Sequence, residues 1–199
     1  MARNENPPFE RGSTFFGAGG TPNVTDGFQY EGKEYLFEDI NPLTRAVRTN
    51  RYVRCRIVRN SSGIALLPRR LVRFEVDGLD YGARVDGYTR TTAARGYPVD
   101  EYLPAAGVAN NDLFYIVVNG PAMCVSDLAA VDTISVGDRL VALTAVTSQA
   151  TTAGRVDLAA FAVTEQALAD QVAYYIGHAL SALTSANTNS DILVEVGHW

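Results

Sequence analysis

The chain has 199 residues, a formal charge of −5 at neutral pH and a hydrophobic fraction of 47%. That length and apolar content suffice for a buried core, in one domain or two small ones, and argue against wholesale disorder. The opening residues, Met1-Ala-Arg-Asn-Glu-Asn-Pro-Pro8, hold no apolar signal region, and runs such as Leu113 to Val118 fall far short of the roughly 18 residues of a membrane helix, so the expectation is a cytosolic protein without membrane contact.

The first segment, to Asp26, reads as an extended arm. Pro7-Pro8, Gly12, Gly17, Gly19, Gly20 and Pro22 favour irregular backbone, and Phe9, Phe15 and Phe16 are interleaved among them. Aromatic rings on such a segment need an apolar surface to cover them, on this chain or on a neighbouring subunit.

From Gly27 the pattern turns to β-structure. Phe28 to Tyr30 and Tyr35 to Phe37 read as two short strands about a turn, and Asn41-Pro42 marks a second turn. Between Arg45 and Arg73 the chain carries Arg45, Arg48, Arg51, Arg54, Arg56, Arg59, Arg69, Arg70 and Arg73 without one Asp or Glu, while Lys33 is its sole lysine. Arg rather than Lys favours fixed contacts to carboxylates or phosphates. Alternation predicts a half-buried strand with Val53, Cys55 and Ile57 inward and Arg54 and Arg56 outward. Asn60 to Gly63 reads as a turn and Leu71 to Val76 as another strand, with Arg73 and Glu75 on one face.

Asp77-Gly78, Asp86-Gly87 and Asn119-Gly120 carry tight-turn signals, and Tyr97 to Pro104 reads as an ordered loop. Leu113 to Val118 predicts a central strand. Ala122 to Val125, Arg139 to Val146, Arg155 to Ala162 and Ile192 to Val196 predict further strands. Thr164 to Leu183 fits both helical and strand spacing; Gly177 disfavours the helix by about 1 kcal/mol, giving a short helix over Glu165 to Asp170 followed by a strand.

Candidate chemistry is sparse. His178 and His198 stand without a nucleophile motif, and no clustered Cys/His spacing suggests zinc. Gly17 to Gly20 lacks the following helix of a phosphate loop. Asp77, Asp80, Asp86, Asp100 and Glu101 could supply a glycosidase pair, but read better as turn residues. Cys55 and Cys124 read as buried free thiols. The expectation is a protein that is not an enzyme, with no catalytic residues, cofactor or metal. The Arg block has three readings: a protein interface facing an acidic partner, a solvated face with internal ion pairs, or phosphate contacts to nucleic acid with Tyr52 stacking.

Phe114-Tyr-Ile-Val-Val-Asn-Gly-Pro121, Ile134-Ser-Val-Gly-Asp-Arg-Leu-Val141, Ile176-Gly-His-Ala-Leu180 and Ile192-Leu-Val-Glu-Val196 together resemble the pattern of bacteriophage capsid decoration (cement or head-stabilising) proteins, over Leu113 to Trp199. The resemblance implies a structural virion protein, assembled in the host cytoplasm and bound to the outer capsid surface. Its partners would be the major capsid protein and other copies of itself, as a homo-oligomer with a trimer as the guess, without membrane and with nucleic acid disfavoured. The expected fold is mainly β, a small β-barrel or sandwich core with an extended N-terminal arm and at most one short helix. The expected divisions are the arm 1–26, an Arg-rich β region 27–104 and a barrel-like decoration domain 105–199, with 27–199 as one domain left open. The expected interface comprises Phe9, Phe15, Phe16, Arg48, Arg51, Arg54, Arg56 and Arg73. The alternative function is a nucleic-acid-binding β-domain that uses Arg45 to Arg73.

Overall fold

The structure, a computed structural model, describes residues 30–41, 43–75, 82–89, 95–127, 133–142, 153–159, 175–184 and 190–197. Within them lie ten strands and no helix: β1 (Glu34–Ile40), β2 (Val47–Asn60), β3 (Leu71–Phe74), β4 (Arg84–Tyr88), β5 (Tyr97–Pro98), β6 (Leu113–Val125), β7 (Arg139–Ala142), β8 (Val156–Leu158), β9 (Tyr175–Ala179) and β10 (Asp191–Val196). The expected arm with Phe9, Phe15 and Phe16, and the expected helix over Glu165 to Asp170, lie outside the described residues.

The strands form one mixed sheet in the order β5-β3-β4-β2-β6-β10-β9-β7-β8, with β1 paired to β2 beside this path. β2 and β4 run parallel, and the other ladders are antiparallel. The fold is mainly β, as expected, but its ladders do not close into a barrel. Single bridges, Val99 to Ile116 and Ser126 to Val156, bring the two ends of the path back against β6 and the residue that follows it. Regions 27–104 and 105–199 are thus joined within one sheet through the β2–β6 ladder.

β6 explains its own composition. Leu113, Tyr115 and Val117 enter one apolar cluster with Cys55, Ile57, Cys124, Ile176 and Val194. The alternate residues Phe114, Ile116 and Val118 enter a second cluster with Val58, Val72, Phe74, Val85 and Val99. A strand buried on both faces must be apolar at consecutive positions, and each fully buried large side chain contributes about 1.5–3 kcal/mol. β2 alternates as its sequence predicts, burying Val53, Cys55 and Ile57 and exposing Tyr52 and Arg54.

Two of the tight-turn signals resolve differently, and the third, Asp77-Gly78, lies outside the described residues. Asn119-Gly120 is no turn: it lies inside β6, and Ala122 to Val125 continues the same strand. Up to Asn119 the strand pairs with β2, and from Gly120 onward with β10. Gly120 has φ +99°, and a Cβ there would sit 2.3 Å from the carbonyl oxygen of Tyr52. Asp86-Gly87 lies inside β4, beside an irregularity in the β3–β4 register. Both dipeptides use the freedom that a hairpin would use, but to bend a strand. Tyr30 belongs to a turn rather than to a strand, the amide N–H of Lys33 donating to its carbonyl at 3.1 Å. The turn at Asn41 is present: its side-chain oxygen accepts from the amides of Leu43 at 2.8 Å and Thr44 at 3.2 Å.

Candidate interaction surface

The arginine block is concentrated on β2 and the segments that flank it, and most of its charge is matched within the chain. Arg48 Nη2 lies 2.6 Å from Asp39 and 2.7 Å from Glu101. Arg51 faces Glu195 on β10 at 2.7 Å. Arg56 Nε donates to Glu34 on the neighbouring β1 at 3.0 Å. Arg59 is buried against Glu31 and donates to the carbonyl of Asn111 at 2.6 Å. Arg69 pairs with Asp191. Arg70 donates to the carbonyl of Ala153 at 3.0 Å. Arg73 holds Asp86 with two parallel bonds, 2.7 and 2.9 Å long, across the β3–β4 ladder. The acids that balance the block therefore come from elsewhere in the sequence, brought to it by sheet pairing.

Arg54 differs. It is exposed, and no residue among those described forms an ion pair or hydrogen bond with its guanidinium. Its cross-strand neighbours are Leu36 on β1 and, at the bend of β6, Asn119. Leu36 is 53% exposed and Tyr52, two residues before Arg54 and on the same face, is 61% exposed. An open groove of about 400 Å³ adjoins this face, lined by Glu34, Arg54, Arg56, Phe74, Tyr97, Val118 and Asn119. The Phe74 and Tyr97 rings lie 4.6 Å apart, Arg56 stacks over Phe74 at 5.3 Å, and Arg95 over Tyr97 at 5.9 Å.

At the other end of the β1–β2 ribbon, carboxylates converge on Arg48. Asp39 is 1% exposed and also accepts from the Thr49 hydroxyl at 2.8 Å. Tyr102 donates its hydroxyl to the carbonyl of Ile40, tying the ribbon to the 100–102 segment. Although part of Asp100 reaches solvent, its carboxyl is enclosed. Burial pushes it up to about 7, with Glu101 adding to the effect, while the Tyr102 amide and Arg48 oppose it. Burial also raises the Glu101 carboxyl, against the pull of Arg48. The carboxylates weighed as a glycosidase pair are thus engaged structurally: Glu101 with Arg48, Asp86 with Arg73, and Asp100 with the Tyr102 amide. Asp77 and Asp80 lie outside the described residues.

His178 sits 2.9 Å through Nδ1 from the Tyr175 hydroxyl; His198 lies outside the described residues. Cys55 and Cys124 are buried free thiols in one cluster, both pushed well up by burial. Among the described residues, no three His, Cys, Asp or Glu side chains are grouped to hold a metal ion, and no helix is long and apolar enough to cross a membrane.

No family model matches the chain, and no curated protein matches it in sequence. Among solved structures it is similar to the N base of the head fiber gp8.5 of bacteriophage phi29. The TM-score is 0.40 at 13% identity, over 72% of this chain and 92% of that one. A likeness of this size carries no conclusion about function.

Of the interface residues expected from sequence, Arg54 is left unmatched and exposed, while Arg48, Arg51, Arg56 and Arg73 face acids of the same chain. Sequence reasoning missed Leu36, Asn119, Phe74 and Tyr97. Leu36 carried a readable signal, since it occupies the polar phase of the alternation between Glu34 and Glu38. Asn119 carried a misleading one, as half of a turn dipeptide. Phe74 and Tyr97 meet only through the β3–β5 pairing, which two-residue β5 hardly announces.

Proposed function

We propose that this chain is a structural protein of a bacteriophage virion, which binds the outer capsid surface and cements neighbouring major capsid subunits. The observation that carries the reading is the outer face of the β1–β2 ribbon, where Leu36, Tyr52 and an unmatched Arg54 are exposed together on paired strands. Strand pairing fixes the backbone beneath these side chains, so only side-chain ordering remains to be offset on docking. Tyr and Arg beside an exposed apolar residue make the composition of an interface core. The pattern from Leu113 to Trp199 supports the same reading through its resemblance to decoration proteins. The aromatic arm would add a second attachment to a repeated lattice, reaching a capsid subunit or an adjacent copy, and so raise effective concentration. The nucleic-acid reading loses support, because most of the arginines it would need already face carboxylates.

The test is retention on purified empty shells. The intact chain should sediment with shells and raise their melting temperature. Removal of residues 1–26, or replacement of Leu36 and Tyr52 by Ala, should each reduce occupancy while the free chain stays folded. Full occupancy after both changes would sink the proposal. Retention of an oligonucleotide at moderate salt, lost steeply as salt rises, would favour the alternative.

A further inference from the structure

We infer that the groove between Arg54, Tyr97 and Asn119 takes a carboxylate side chain flanked by an apolar residue, presented by an acidic segment of a partner protein. The inference rests on the proposed virion role for the partner's identity, and on the groove itself for the chemistry.

Four observations select this ligand. Glu34, the one acid of the groove, is engaged by Arg56, so that pair presents no net charge. Arg56 is further fixed over the Phe74 ring. Arg54 is then the cation left to face a partner, and the β2–β6 register sets it opposite the amide of Asn119. A guanidinium and an amide supply N–H donors and suit an acceptor with two oxygens. Beside them the partly exposed Tyr97 ring, backed by the buried Phe74 and Val118, gives the groove an apolar flank. A free inorganic anion would leave that flank uncovered, whereas Glu or Asp next to Leu or Val covers both parts. Phosphate on a nucleic-acid strand would call for several available cations in a row, and the neighbouring arginines of β2 face acids of their own chain.

The experiment is a nuclear magnetic resonance titration of the isotopically labelled full chain with acetyl-Leu-Glu-Leu-amide, with acetyl-Leu-Gln-Leu-amide as control. The Glu peptide should shift the Arg54 Nε–H, Asn119 side-chain and Tyr97 resonances saturably, and the Gln peptide should bind more weakly. Arg54→Gln, an exposed change that keeps the fold, should weaken Glu-peptide binding roughly five-fold, the loss of one partly exposed charge pair. Equal binding of the two peptides, an unchanged affinity in Arg54→Gln, or no saturable shift would each overturn the inference. So would preferential occupation of the groove by single-stranded oligothymidylate. The two proposals fail separately. Peptide binding with no retention on shells supports the groove and removes the virion reading. Retention on shells that Arg54→Gln leaves intact, without a peptide response, removes the groove alone.

Discussion

Arg48 directs two nitrogens, Nε at 3.0 Å and Nη2 at 2.6 Å, onto one oxygen of Asp39, a carboxylate almost wholly withdrawn from water. Removing the guanidinium leaves that charge with only the Thr49 hydroxyl. Arg48→Met should therefore destabilise the chain by about 3–5 kcal/mol, read as a lowered urea midpoint. Adding Asp39→Asn to the same chain should recover part of the loss, because the stranded charge is gone. Equal losses in the single and double variants would show that Asp39 does not depend on Arg48.

Asp100 sets a pH dependence of opposite sign to that of an ion-paired acid. Its folded-state carboxyl titrates at about 7, above the ordinary value of 3.8, so the folded chain binds the extra proton between these values. Its contribution is therefore greatest at acid pH and is lost as pH rises from about 4 through 7, by up to about 1.4 kcal/mol per pH unit. Asp100→Asn keeps an acceptor for the Tyr102 amide but cannot ionise. Urea unfolding at pH 5 and pH 8 should show the native chain losing stability relative to Asp100→Asn. A constant difference between the two proteins would refute the assignment.

Gly120→Ala should cost about 2 kcal/mol or more, since it forces a side chain into positive φ and toward the Tyr52 carbonyl. The damage should centre on the point where β6 changes partner. Amide exchange should accelerate first in Tyr52, Val53 and the β6–β10 ladder. Wild-type thermal stability in this variant would contradict the close approach.

Reversing the charge of two arginines should separate structure from surface. Arg54→Glu, at an exposed and unmatched position, should change stability by no more than about 0.5 kcal/mol. Arg73→Glu exchanges a two-bond contact with Asp86 for repulsion and should cost roughly 1–3 kcal/mol in denaturant unfolding. Similar values for the two variants would mean that the Asp86 contact adds nothing.

Local chemistry was legible from the residues where it was periodic. The alternation of Val53, Cys55 and Ile57 with Arg54 and Arg56, and the apolar run from Leu113 to Val118, predicted strand and burial together. Gly177, weighed as a helix breaker, has a stronger reason in the fold: a Cβ there would lie 1.8 Å from the Glu195 carbonyl, so β9 and β10 can pair only across glycine. The destinations of the arginines were not legible, because each depends on an acid distant in sequence, as with Arg48 and Glu101 or Arg69 and Asp191. Turn dipeptides misled where a strand needed to bend, since Gly offers the same dihedral freedom to both.

β6 also determines how the chain can come apart. From Leu113 to Val118 its odd and even residues belong to different clusters, so exposing either cluster strips one face of the strand on which the other is packed. Neither half can melt as an independent foldon, and a single cooperative transition should govern the described sheet. The last amides to exchange with solvent should be those of Tyr115 and Ile116, where the two clusters lie back to back.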